Sequence, residues 1–179
     1  MAYLEQMSRC STLSGAWILD VYRSDTLEGY LRCLLVPAAA IQAQVEGERA
    51  HPSRNVIGLD TSNLIIHKRT AASNVTEDFE IDEEQVIETN TGAIKRTKAS
   101  LGEGEQLNGY VLVSQTLSRE GPNLVQVEAR QLEPGGLVHT QELNVHNLRT
   151  GQHCIVNRVW VRVAVTREDV RQLSPPASG

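Results

Sequence analysis

Near its end the chain reads NRVWVRV, Asn157 to Val163, with Asn157, Val159, Val161 and Val163 alternating against Arg158, Trp160 and Arg162. On a strand the two sets point to opposite faces. NLVQVEARQL repeats the arrangement: Leu124, Gln126, Glu128, Arg130 and Leu132 stand against Val125, Val127, Ala129 and Gln131. Arg130 and Arg158 thus each oppose a β-branched face, and a guanidinium forks onto a carboxylate through paired hydrogen bonds. Two orientations are open. Arginines in water over a valine core is the ordinary arrangement; a container with a partly polar inside would turn the arginine–tryptophan face inward.

Other chemistry is sparse. His67, His139, His146 and His153 lack metal-ligand spacing, so neither a metal nor another cofactor is expected. One of them, if buried, is a candidate acid–base group for an enzyme. The sequence contains no G-x-S-x-G, H-E-x-x-H or phosphate-binding glycine loop, and LGEGEQ carries acids where phosphate needs donors. Cys10, Cys33 and Cys154 are scattered and odd in number, which reads as reduced thiols. The net charge of −5 gives no overall attraction to nucleic acid or to anionic membrane, and nucleic acid is not expected as a partner. No stretch approaches the ~18 apolar residues that span a bilayer, and the first residues lack the apolar core of a secretory signal, so a cytoplasmic protein is expected.

The elements that position these residues are short. With 179 residues, 40% of them hydrophobic and 22% charged, one globular domain is expected. Residues 1–12 form an N-terminal extension whose YLEQMSRC could make a short helix; 13–165 form the domain proper; 166–179 form a tail ending in a frayed SPPASG. AWILDVY is a first strand. After it Ser24 or Asp25 could cap a helix that places Leu27, Tyr30, Leu31 and Leu34 on one stripe. Pro37 ends that helix or starts the next, AAAIQAQV would be a second short helix, and EGERAHPSR (46–54) reads as a polar loop. From about residue 55 the chain is β almost throughout, with strand-like runs punctuated by turns such as Thr91–Gly92, REGPN, EPGG and RTG. About ten such segments, too close for crossover helices, predict an all-β fold: an antiparallel up-and-down barrel, closed because closure removes exposed edges.

Three stretches give this order of parts a family likeness. LSGAWILDVYRSDTLEGYL holds a G-x-W (Gly15-Ala16-Trp17) leading into a helix with Leu27 three positions before Tyr30. EDFEIDEEQVIETNTG sets Phe79, the single phenylalanine, before a Glu-rich strand. EARQLEPGGLVHTQELNVHNLRTGQHCIVNRVWVRV ends with an arginine before a turn and a closing R-x-aromatic. From about Leu13 to Val163 the chain resembles the intracellular fatty-acid-binding and retinoid-binding protein family, within the lipocalin-like (calycin) barrels.

The resemblance implies a cavity for a small hydrophobic ligand under a helix-turn-helix lid that follows the first strand. It places Arg158 on the arginine of the family's closing R-x-Y and Arg130 on the arginine of a preceding strand that helps hold the ligand carboxylate. Trp160 replaces the tyrosine, exchanging a hydroxyl that donates and accepts for an indole that only donates. Leu27, Tyr30, Leu31 and Leu34 become the lid and portal stripe, and Trp17 a structural residue sealing the barrel bottom. The expectation is non-enzymatic binding and transport of a fatty acid or other hydrophobic carboxylate by Arg130, Arg158 and Trp160. The alternatives are an isomerase or oxygenase on the same barrel, and a structural or interaction module whose barrel is filled by side chains.

Overall fold

The alternation seen in the late segments continues through most of the chain and produces one sheet. In a computed structural model, described here for residues 12–88, 92–102, 107–118 and 121–169, the first strand β1 (Gly15–Leu19) is followed by helices α1 (Glu28–Cys33) and α2 (Ala38–Ala50). Nine strands follow: β2 (Arg54–Leu59), β3 (Asn63–Arg69), β4 (Asn74–Glu80), β5 (Glu84–Glu88), β6 (Ile94–Leu101), β7 (Gly109–Ser118), β8 (Gly121–Leu132), β9 (Val138–Asn147) and β10 (His153–Val163). All pairings are antiparallel and the order is β4-β3-β2-β1-β10-β9-β8-β7-β6-β5. This is an up-and-down barrel, with a helix pair after the first strand.

The barrel is nearly closed: its ladder ends at β4 and β5, where the expectation was full closure. Acidic residues crowd both edges, with Glu77, Asp78 and Glu80 on β4 and Glu84 and Glu88 on β5. Like charges set opposite one another disfavour strand pairing. A single side-chain bond spans the two strands among the described residues, from Gln85 Nε2 to the Asp78 carbonyl at 2.6 Å.

The core occupies one end of the barrel. Trp17, Leu64, Ile66, Ala99 and Tyr110 are fully buried there, and Trp17 Nε1 donates to the Leu13 carbonyl at 3.0 Å. Arg162 closes this floor: its guanidinium lies 4.1 Å from the Trp17 ring and donates to the carbonyls of Thr12, Ser14 and Gly136.

Several local expectations need correction. α2 runs on through Glu46–Ala50, where the sequence predicts loop; the Gln42–Glu46 bond supports it, and Glu48 is held by Arg158 of β10. Ser24 and Asp25 do not cap α1, which begins at Glu28; they bond instead to the backbone of Val159 and Asn157 on β10. REGPN is not all turn, because β8 begins at Gly121. The helix expected at residues 3–10 lies outside the described residues.

On β1 and β2 part of the outward face is covered. Ala16 and Val56, outward-facing register neighbours, are buried rather than wetted, and the chain beyond β10 returns to this side of β2. Asp169 there accepts from Arg54 Nε at 3.2 Å and Nη2 at 2.6 Å, while Arg54 also reaches the Ala164 carbonyl. These bonds and those with Thr166 hold the Asp169 carboxyl at about 2, below its ordinary 3.8. A depressed carboxylate stabilises the fold above its unfolded value, and the contribution disappears as pH falls through the folded one. Asp169→Asn is therefore expected to cost roughly 2 kcal/mol at pH 7. The gap in urea midpoint from the parent protein should close as pH falls from about 4 to about 2.

Candidate binding site in the barrel

The arginine–tryptophan face of β10 looks into the barrel. Arg158 and Trp160 are 2% and 4% exposed, and Val159 and Val161 opposite them are half-buried on the outside. On β8 the inward set includes Gln126, Glu128, Arg130 and Leu132, with Arg130 also 2% exposed. Above the packed floor lies a cavity of about 640 Å³, lined among others by Leu27, Tyr30, Glu48, Arg130, Arg158 and Trp160. A smaller lobe of about 110 Å³ adjoins it and shares Tyr30, Lys68, Glu128 and Leu143. The larger lobe falls within the usual size of small-molecule sites.

The two arginines sit in different electrostatic settings. Arg130 has its donors engaged: Nε bonds Glu128 Oε1 at 2.8 Å, and with the Asn55 amide oxygen turned toward it both Nη1 and Nη2 reach that oxygen at 3.0 Å. Its guanidinium also stands 5.0 Å from the Trp160 ring centre. Glu128 accepts in addition from Tyr110 Oη at 3.0 Å and faces Lys68 Nζ at 3.6 Å. Burial alone would raise the Glu128 carboxyl, but Lys68, Arg130 and Tyr110 outweigh it and hold the group at about 2. Lys68 pairs in turn with Glu77 at 2.7 Å.

Arg158 is less fully engaged. Nη2 bonds Glu48 Oε1 of α2 at 2.6 Å, whereas Nε and Nη1 are buried without a hydrogen-bond partner among the described residues. Buried donors left unmade are costly, so Arg158 carries hydrogen-bonding capacity that its protein surroundings do not use.

Trp160 forms part of the wall. Its indole N–H donates to Gln141 Oε1 at 2.9 Å, which leaves no donor for a ligand. His139 lies beneath it, stacked at 5.9 Å on Trp160 and edge-on at 4.5 Å to Trp17. Burial, and then Arg130, push its imidazole down to about 2, so it stays neutral near pH 7. It does not line either lobe.

The helix stripe divides in two. Leu27 and Tyr30 reach the cavity, and Tyr30 Oη accepts from Gln126 Nε2 at 2.8 Å. Burial, reinforced by Glu128 and Glu77, raises the Tyr30 phenol to about 12 and keeps it protonated. Leu31 is buried and Leu34 half-buried, but neither lines a lobe. α1 is tied down by Asn147 Nδ2, which donates to the Cys33 carbonyl at 2.8 Å. The counter-charges Glu48, Lys68 and Glu77 and the polar wall residues Asn55 and Gln141 were not singled out from sequence. Alternation could have found Lys68, two residues beyond Ile66 on β3.

The geometry defines a class: a ten-stranded barrel with a two-helix lid and an internal cavity carrying buried arginines. This is the fold of fatty-acid-binding and retinoid-binding proteins. The REP1-NXSQ fatty acid transporter superposes with a TM-score of 0.62 at 18% identity, covering 86% of this chain and 98% of its own. Apo Caenorhabditis elegans lipid binding protein 8 gives 0.59 at 18% identity, over 84% and 94% of the two chains. Human cRBP IV gives 0.60 at 16%, over 84% and 98%. No protein-family model and no curated protein sequence gives a significant match.

Proposed function

We propose that this chain binds a hydrophobic carboxylate of the fatty-acid type in its barrel cavity, without chemical conversion, and serves as a cytoplasmic carrier. The observation that carries this reading is Arg158: a buried guanidinium on the wall of the cavity, with Nε and Nη1 unpartnered among the described residues. Arg158 anchors the carboxylate, and Arg130 adds positive potential behind it while its own donors hold Glu128 and Asn55. Trp160, Leu27 and Leu143 present apolar surface to the ligand tail, whose burial supplies most of the affinity. Tyr30 stands at the junction of the two lobes, where a tail passing between them would touch it. The similar structures named above include one described as a fatty acid transporter and one as a lipid binding protein.

Native mass spectrometry of the purified protein, followed by solvent extraction, is expected to recover a bound acid. Displacement of a fluorescent fatty acid should then show oleic acid binding about 10- to 100-fold more tightly than its methyl ester, the worth of charge-assisted hydrogen bonds to a buried arginine. Equal affinity for acid and ester, or no binding of either, would overturn the assignment.

A further inference from the structure

We propose that Glu48 is a built-in stand-in for the ligand's carboxylate. Glu48 holds Arg158, and an entering acid displaces it and releases the C-terminal turn of α2. This rests on the cavity being a site for a hydrophobic carboxylate and adds how that site is gated.

The geometry comes from a single guanidinium nitrogen. Glu48 Oε1 accepts from Arg158 Nη2 at 2.6 Å and from Ser53 Oγ at 2.9 Å. A carboxylate can fork onto an arginine along two edges, Nε with Nη2 or Nη1 with Nη2, and both include Nη2. Nη2 carries two N–H groups, so an acid can fork onto the edge that Glu48 leaves open, and it then sets a second carboxylate beside the first on one guanidinium. Two carboxylates on one guanidinium in a poorly solvated cavity repel each other, so the second arrival favours departure of the first.

The consequence for the lid follows from how α2 is attached. Among the described residues, the side-chain hydrogen bonds that join α2 to the barrel are those of Glu48, with Arg158 and with Ser53 just before β2. Ile41 is the helix's one buried residue, and Ala40 and Ala43 offer the cavity little surface. Removing the Glu48 contacts leaves the last turn of α2 held by little besides its own backbone bonds, and such segments open locally at low free-energy cost. Occupancy by an acid thus loosens the lid, whereas a neutral ligand leaves the latch in place.

Glu48→Gln tests this, because the amide oxygen still accepts from Arg158 and Ser53 but no longer brings a charge to compete with an acid. The probes are oleic acid, its methyl ester and oleyl alcohol. The variant is expected to bind oleic acid about tenfold more tightly than the parent protein while the ester and alcohol stay within about twofold. An unchanged or reduced ratio of acid to ester affinity in the variant would overturn the latch, with the carboxylate reading intact if the parent protein still prefers the acid. A parent protein with no preference for the acid removes that reading itself. Should Glu48→Gln fail to fold, hydrogen exchange on the parent protein decides. Oleic acid should speed exchange at Gly47–His51 and oleyl alcohol should not; equal protection by both would overturn the proposal.

Discussion

Arg158→Met is expected to abolish the preference for acid over ester, lowering oleic acid affinity by about 10- to 100-fold while leaving the methyl ester within about threefold. Methionine keeps an unbranched apolar stem along the cavity wall, so the loss reports the guanidinium and not the packing. The substitution also strips Glu48 of its partner, and the control is Arg158→Met combined with Glu48→Gln, which removes that stray charge and should show the same loss of preference. Arg130→Met should behave differently. The Arg130 donors are satisfied within the protein, so its removal leaves Glu128 and Asn55 short of partners and is expected to lower the urea midpoint more than it changes the acid-to-ester ratio. From sequence the two arginines looked equivalent; their environments separate them. Acid selectivity lost equally in both variants, with stability unchanged, would mean that Arg130 contacts the ligand directly.

Why the equivalence was illusory lies in what a sequence pattern carries. Strand alternation put Arg158 and Trp160 on one face and Glu128 and Arg130 on another, and both groupings hold in the barrel. Which face is inside did not follow from alternation, since solvated arginine is the ordinary case; the resemblance in the opening and closing strands decided it. The counter-ions were out of reach for another reason. Glu48 lies 110 positions from Arg158, in a stretch whose Glu, Gly and Arg content resembles solvent-exposed loop. Only the folded lid brings it over the barrel mouth, and the ion pair in turn helps keep that stretch helical. Ser24 and Asp25 make the same point, since helix-cap chemistry and strand-edge chemistry use the same short polar side chains. Here β10 outcompetes α1 for them. The gap between β4 and β5, two strands that each carry acids, falls at the junction whose closure the strand count implied.

Glu128→Leu is expected to be the most damaging single change in the barrel, costing about 3–5 kcal/mol, because it leaves the buried Arg130 and the half-buried Lys68 without their shared carboxylate. Glu128 accepts from Arg130 and Tyr110 and faces Lys68, whose remaining partner is Glu77. Against a total stability of roughly 5–15 kcal/mol this is a large fraction, and the urea midpoint measures it. Glu128→Gln keeps an acceptor for Arg130 and should fall between the leucine variant and the parent protein. The pH dependence carries the sign. With its folded value held at about 2, below the ordinary 4.5, Glu128 stabilises the native state fully above about pH 4.5 and loses that contribution as pH falls toward 2. The parent protein should therefore lose stability across that window faster than Glu128→Gln, and the two urea midpoints should converge near pH 2. Parallel curves from pH 7 to pH 2 would mean that the carboxylate is not the charge that holds Lys68 and Arg130 inside the barrel. The cavity's positive potential would then need another counter-ion, with Glu77, the other carboxylate beside Lys68, the first to substitute.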